Sequence, residues 1–476
     1  METYYFLTLL TLPNEILEII SDDVHDLKDS PRSIVSLSLA CRRLYPFATL
    51  AIYKTVRAVW HDDLPAPAAR ICYEKNTASL VRHLLVRFSK PEDWYETLNL
   101  SRLRASAATL GIDIPNKHIP YTTRELVCHR MALATILRAP NLVSLSIQPS
   151  VVDWCDHKWA LRADTTGDFF AASAKVQPSP ALAKLRSLQI DKVGCIDKLR
   201  PWSSLAPNIS SLTLKWLRAT SNAAAEIRFD HVTTLHLDHP FFRGFNIRRF
   251  LSGFPQLSDF GFRWERRPYG GQSGAVNVVQ ALGAFHTQLK RLSLSCFVWP
   301  DHLKDLNSSE LILSFEQFEQ LETLKFDLTC VVDIQRTNTP YGPTIANTCL
   351  SSVVGMLPRS LLSLEIFDVL GLSRGCNEYE SEALARRLKD RCPGMSTLLY
   401  TCHPGLVDDV AVVHDALVDQ GIEVMLNDTD KSFFKEEYHH VADIPIKEMW
   451  LELQSEARSR ALLNKSCCRC RRRRRD

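Results

Sequence analysis

Few groups in this chain have both the type and the spacing that chemistry requires. The richest run is Gly270-Gly271-Gln272-Ser273-Gly274, which follows Arg266-Arg267-Pro268-Tyr269. Glycines let backbone N–H groups close around a phosphate, but a phosphate loop also needs Lys followed by Ser or Thr, and a dinucleotide turn needs its own glycine spacing. Neither is present, and the run reads as a mobile loop. Cys392, Cys402 and His403 carry ligating atoms at spacings that zinc sites do not use, and Cys467, Cys468 and Cys470 lack a second ligand pair. His231, His236 and His239 alternate near a strand, where a satisfied or exposed histidine is a simpler reading than a metal ligand. Asp408-Asp409 reads as a helix cap. No nucleophile stands with a base, so the sequence predicts no catalytic residue, no metal site and no cofactor.

Composition narrows the class further. A chain of 476 residues holds two or three domains, or one long repeat array. The formal net charge is +3, but Arg471 to Arg475 supply five positive charges, which leaves −2 on the rest. A nearly neutral body disfavours a general nucleic-acid binder, whose basic footprint lies on the fold. No apolar run reaches bilayer-spanning length, so no membrane partner is expected. The opening METYYFLTLLTL lacks a basic n-region and a cleavage site, and Tyr5, Phe6 and Leu9 are expected to pack under the first helix. The fourteen cysteines are scattered in apolar contexts such as Cys128, Cys296 and Cys330, which fits reduced core thiols in the cytoplasm or nucleus.

The elements that would position any binding surface follow one recurring pattern, apolar-x-x-apolar-x-apolar. It runs through Leu142/Leu145/Ile147, Leu185/Leu188/Ile190, Ile209/Leu212/Leu214, Val232/Leu235/Leu237 and Leu257/Phe260/Phe262. It continues through Leu289/Leu292/Leu294, Leu321/Leu324/Phe326, Leu361/Leu364/Ile366 and Met395/Leu398/Tyr400. Central positions recur every 23 to 43 residues. Between them, Val276/Val279/Leu282, Leu350/Val353/Val354/Leu357 and Leu384/Leu388 fall on helical faces, and Pro140, Pro207, Pro255, Pro358 and Pro393 stop the chain before the next strand. Strand–helix alternation predicts parallel strands with helices on one side. Val81-x-x-Leu84-x-Val86 is a candidate first strand, Asp62 to Pro67 a Pro-rich linker and Trp94 to Leu110 a candidate helix.

The pattern resembles an irregular leucine-rich repeat solenoid. Where many such repeats carry Asn or Cys, this chain holds Ser150, Val193, Leu217, Pro240, Glu265, Phe297, Thr329, Val369 and His403, so the usual side-chain ladder at that turn is not expected. A doubly wound sheet is the rival architecture. The outward-facing strand residues include Lys215, His236, Asp238, Arg263, Arg291, Lys325, Asp327 and Glu365, with Trp216 and Trp264 at strand exits. Mixed charge with aromatics fits a target-binding surface formed by Lys215, His236, Asp238, Arg263, Trp264, Arg291 and Lys325, or an ordinary solvated face.

The N-terminal stretch Leu12–Val56 predicts three short helices, too few to bury a core of their own. Leu12-Pro13-x-Glu15-Ile16-Leu17 opens it, Ser36-Leu37-Ser38-Leu39-Ala40-Cys41-Arg42-Arg43-Leu44 follows, and Ile52-Tyr53-x-x-Val56 closes it. The order and spacing of these three pieces resemble the F-box; the first linker, Ser21 to Ser30, is longer and more acidic than usual in that family. The resemblance implies a Skp-type adaptor and cullin complex as partners, with docking through Leu12, Pro13, Ile16, Leu17, Ile20, Leu39 and Leu44. It further implies that the repeats present a target protein for ubiquitin transfer, without catalysis by this chain. The alternative is a repeat scaffold that binds proteins without a ligase role.

The expected organisation is therefore α/β: a three-helix F-box at 1–57, a linker with a candidate irregular repeat at 58–122, a solenoid of parallel strands inside and helices outside at 123–430, a capping helix at 431–464, and a basic tail at 465–476. Ile446, Met449, Trp450, Leu453 and Ala457 would form the cap's apolar face. The tail reads as a solvated end or as a nuclear-import signal.

Overall fold

The repeated apolar triplets build parallel strands. The structure, a computed structural model, describes residues 12–26, 30–40, 42–60, 70–72, 74–88, 100–112, 121–148, 182–220, 227–243, 247–266, 275–298, 312, 314–331, 353–368, 378–402 and 414–428. The chain divides into two units, Met1–Phe241 with Ser252–Gln256, and Phe242–Leu251 with Leu257–Asp476. The glycine-rich run at 270–274, Asp408-Asp409, His403, the expected capping helix and the basic tail lie outside the described residues.

In the first unit the strands are β1 (Thr55–Trp60), β2 (His83–Phe88), β3 (Ser144–Gln148), β4 (Ser187–Cys195), β5 (Ser211–Thr220) and β6 (Thr234–Asp238), each parallel to the next. The register sets Val56, Leu84, Leu145, Leu188, Leu212 and Leu235 in one row. The leading apolar residues of each triplet, Val81, Leu142, Leu185, Ile209 and Val232, are buried beside that row. Each such side chain contributes roughly 1.5–3 kcal/mol on burial.

The second unit repeats the design with β7 (Asp259–Arg266), β8 (Arg291–Val298), β9 (Thr323–Asp327), β10 (Ser363–Asp368), β11 (Thr397–Cys402) and β12 (Glu423–Asp428). Phe260, Leu292, Leu324, Leu364, Leu398 and Val424 form its row. Within each unit the strands follow chain order, and residues that alternate with the buried ones stay half-exposed in β3 and β6. A doubly wound sheet reverses its strand order and is covered on both faces, and neither feature fits these strands.

Turns into the strands are built alike. Two successive N–H groups converge on one carbonyl of the preceding strand's lead-in: Val143 and Ser144 on Arg82, Arg186 and Ser187 on Val143, Ser210 and Ser211 on Arg186. In the second unit Glu322 and Thr323 do so on Lys290, and Leu362 and Ser363 on Glu322. The expected prolines sit in these turns, where a missing N–H breaks nothing. A separate asparagine ladder lies at this leading edge of the strands, not at the trailing positions where many such repeats carry Asn or Cys. Asn141 Nδ2 donates to Ser79 O (2.7 Å) and Asn208 Nδ2 to Ala183 O (2.8 Å).

The helices before the sheet are α1 (Asn14–Asp26), α2 (Ser30–Ala40) and α3 (Tyr45–Lys54). Pro13 leads in, and its carbonyl accepts from the N–H groups of Ile16 and Leu17, both at 3.1 Å. Ile34, Ala48 and Ala51 form a small core with Val24, Leu37 and Ile52 around it. The helix α3 runs straight into β1, so the boundary expected at residue 57 falls inside a strand. Further along the chain lie α4 (Lys75–Leu80), α5 (Leu100–Ala108), α6 (Tyr121–Arg138), α7 (Arg200–Leu205), α8 (Ile247–Leu251), α9 (Ala275–Leu282) and α10 (Glu378–Arg391). The second of these falls within the helix expected at Trp94–Leu110. Trp202 of α7, Val278 and Leu282 of α9, and Ala385 and Leu388 of α10 are buried.

Candidate functional site

Three surfaces among the described residues are open to recognition. The first lies on α1 and α2. Ile16 is 40% exposed, Ile19 55%, Val35 45% and Leu39 78%. On a helix, residues three or four apart share a face, so Ile16 with Ile19, and Val35 with Leu39, make two apolar edges. The structure divides the residues expected to meet an adaptor. Pro13, Ile16 and Leu39 are exposed, and Leu12 and Ile20 half-buried. Leu17 (0% exposed) and Leu44 (3%) are inside the chain's own packing, where they hold the helices together and are not available to a partner. Arg43 Nη2 donates to Leu12 O (2.8 Å), tying the turn before α3 to the start of α1.

The second surface is the open face of the first unit's sheet. Asp191, Lys215 and Asp238 stand side by side on β4, β5 and β6, with Gln189, Thr213 and His236 in the next row. Lys215 Nζ lies 3.8 Å from Asp238 Oδ2, and His239 Nε2 lies 3.5 Å from Asp238 Oδ1. Just past this row the backbone turns left-handed at two bulky residues, Trp216 (φ 54°) and His239 (φ 48°). Non-glycine residues pay for that conformation, so packing must hold it. Here the two rings stack with centroids 4.5 Å apart and 9° between planes. The pairing of β4 with β5 passes from Asp191–Lys215 to Gly194–Leu217, so two β4 residues face Trp216. This bulge breaks the alternation and delivers Leu217, 0% exposed, to the core.

The second unit carries its own open face. Arg291 Nε lies 2.8 Å from Asp259 Oδ2 and Lys325 Nζ 3.2 Å from Glu365 Oε1. The Lys325 ammonium also sits 4.5 Å from the centroid of the Phe367 ring. Arg263 is half-buried, and Asp327 is only 2% exposed. Trp264 does not belong to this face. It shares the parity of Phe260 and Phe262, is 5% exposed, and its ring packs 5.1 Å from that of Phe262. Strand alternation turns it to the core, whereas the sequence placed it with the target-binding residues.

Two of the buried thiols are held in the neutral form. Burial pushes Cys72 up to about 11, against the opposing effects of its Thr135 contact (2.9 Å) and Arg138. Burial pushes Cys392 up to about 11 as well, against the opposing charge of Arg391. A thiolate is the nucleophilic form, so neither is poised to attack at neutral pH. Among the described residues no group of three or more His, Cys, Asp or Glu side chains is placed to hold a metal ion, and no helix is long and apolar enough to cross a membrane.

The sequence reading missed the exposed Ile19 and Val35, although both lie in stretches it read as helical. It also missed the asparagine ladder, whose signal is the dipeptide Pro-Asn at Pro140-Asn141 and Pro207-Asn208. Comparison with known proteins finds no family model that matches this chain and no curated protein that matches it.

Proposed function

We propose that this chain is the target-recognition subunit of a Skp–cullin–F-box ubiquitin ligase. In this reading α1–α3 form an F-box and the parallel strands of both units belong to an irregular leucine-rich repeat solenoid. The observation that carries it is the exposure of Ile16, Ile19, Val35 and Leu39 on a helical unit too small to cover them. Each gains roughly 1.5–3 kcal/mol if a partner buries it fully, less what is already covered. The open faces of the sheets then hold the target, through weakly paired charges that cost little to exchange. This chain contributes proximity, and the reacting groups belong to other subunits.

Capture by a purified Skp-type adaptor tests this. Ile16→Asp with Leu39→Asp should cut binding by about a hundredfold, since a charge buried in an apolar interface costs several kcal/mol. Unchanged capture by a variant with wild-type circular dichroism refutes the ligase reading. One observation favours a repeat scaffold without a ligase role: α3 continues directly into β1, and Arg82 N donates to Lys54 O (3.0 Å), so the helices also cap the sheet. Failure of the wild-type chain to bind any Skp-type adaptor would select that alternative.

A further inference from the structure

We propose that the leading edge of the first unit's strands, built on Arg82, Lys184 and Arg186, docks a short acidic segment of a partner protein. This surface is separate from the open face and from α1 and α2, and the inference does not rest on the ligase reading.

Lys215, Lys290, Arg291, Lys325 and Arg391 each sit against a carboxylate. Among the described residues no carboxylate is placed against the three cations of the leading edge. Arg82 Nη1 donates to Asn141 O (3.2 Å), Lys184 Nζ to Asn141 Oδ1 (2.6 Å) and Arg186 Nη1 to Asn208 O (2.9 Å). Those acceptors are neutral amide oxygens, so the positive charge is held in place and not cancelled. The asparagines are themselves anchored by the ladder to Ser79 and Ala183. A guanidinium that spends one N–H on a carbonyl keeps others for a planar carboxylate.

Register aligns the two arginines. The backbone ladder runs from Lys54 through Arg82 and Val143 to Arg186, one residue per strand. At about 4.8 Å per strand, that row spans roughly 14 Å, the length of about four residues of extended chain. The equivalent row of the second unit holds Lys290 against Glu322 at 3.6 Å, so it is neutralised there. A field at the edge has a second sign: His83, the exposed first residue of β2, is held below its usual range by partial desolvation and then by the charges of Lys54 and Arg82. A patch this short fits a few carboxylates. It is too small for the long phosphate track of a nucleic acid, which the near-neutral body also disfavours.

The test uses the full chain and a fluorescent octaglutamate peptide, with an uncharged peptide and a single-stranded oligonucleotide of equal charge beside it. Anisotropy at about 50 mM salt should show octaglutamate bound, and weakening as salt rises. Arg82→Gln with Lys184→Gln and Arg186→Gln should weaken it at least about tenfold, since exposed charge pairs each contribute little. Lys290→Gln should leave it unchanged. Arg471 to Arg475 are the same in all these proteins, so the difference belongs to the edge. A second readout needs no variant of the edge: the titration midpoint of His83, assigned by loss of its signal in His83→Gln, should rise when octaglutamate binds. Equal binding of the triple variant, an unmoved His83 midpoint, or tighter binding of the oligonucleotide than of the peptide would each overturn the proposal.

Discussion

Truncating Leu17 and truncating Leu39 should have opposite consequences, although both leucines fit the same expected docking set. Leu17 is 0% exposed and Leu39 78%. Leu17→Ala removes three buried carbons and leaves a cavity beneath α1, which costs about 2–5 kcal/mol. Leu39→Ala removes atoms already in water and should change stability by no more than about 0.5 kcal/mol. For a unit of this size 1 kcal/mol shifts the melting midpoint by roughly 2–4 °C, so Leu17→Ala should lower it by at least about 4 °C while Leu39→Ala stays near wild type. Urea denaturation followed by far-ultraviolet circular dichroism gives an independent measure, since a stability change moves the midpoint and leaves the slope alone. Equal destabilisation by the two variants would mean that Leu39 is covered by the chain itself. A silent Leu17→Ala would mean that α1 is not packed on its neighbours. Either result refutes the assignment of Leu17 to the core and Leu39 to the partner surface.

The thiols and the ladder supply further expectations. With Cys72 and Cys392 pushed up to about 11, roughly one in ten thousand of each is thiolate at pH 7, so native-state alkylation should be slow and should accelerate sharply in denaturant. The same shifts predict a pH effect. A thiol whose folded value is raised stabilises the fold at low pH and loses that contribution as pH climbs from about 9 towards 11, and Cys72→Ala should flatten that alkaline limb of the stability profile. Asn208→Leu orphans the carbonyl of Ala183 and the turn it braces, and should cost about 1 kcal/mol in a urea titration while leaving adaptor capture intact.

In each of the nine triplets the second and third residues fall in a strand and the first in the turn before it, because both signals are local: apolar residues at fixed offsets, and prolines in the turns between them. Two more strands were hidden for different reasons. Tyr53, Val56 and Ala58 follow the same offsets, yet Tyr53 and Val56 had been absorbed into the closing segment of the helical motif. At β12 the offset that should be apolar is Gly421, in a left-handed turn (φ 72°), and Ile422 takes the buried place instead. Trp264 was misplaced by reading a strand exit where the alternation had not yet ended. Trp216 escaped the opposite way: a bulge shifted the alternation, and nothing in the local residue types announces a bulge formed against two residues of a neighbouring strand. Exposure within the expected docking set was half legible, because helical spacing identifies an apolar stripe but does not say which edge of it the chain covers for itself.

Hydrogen exchange of the full chain, alone and with a Skp-type adaptor, tests the central claim most directly. If α1 and α2 are the docking element, adaptor binding should slow exchange across Asn14–Asp26 and Ser30–Ala40, around the exposed Ile16, Ile19, Val35 and Leu39, and leave β3 to β6 unchanged. Protection confined to the strands, or no protection anywhere at saturating adaptor, would contradict the account.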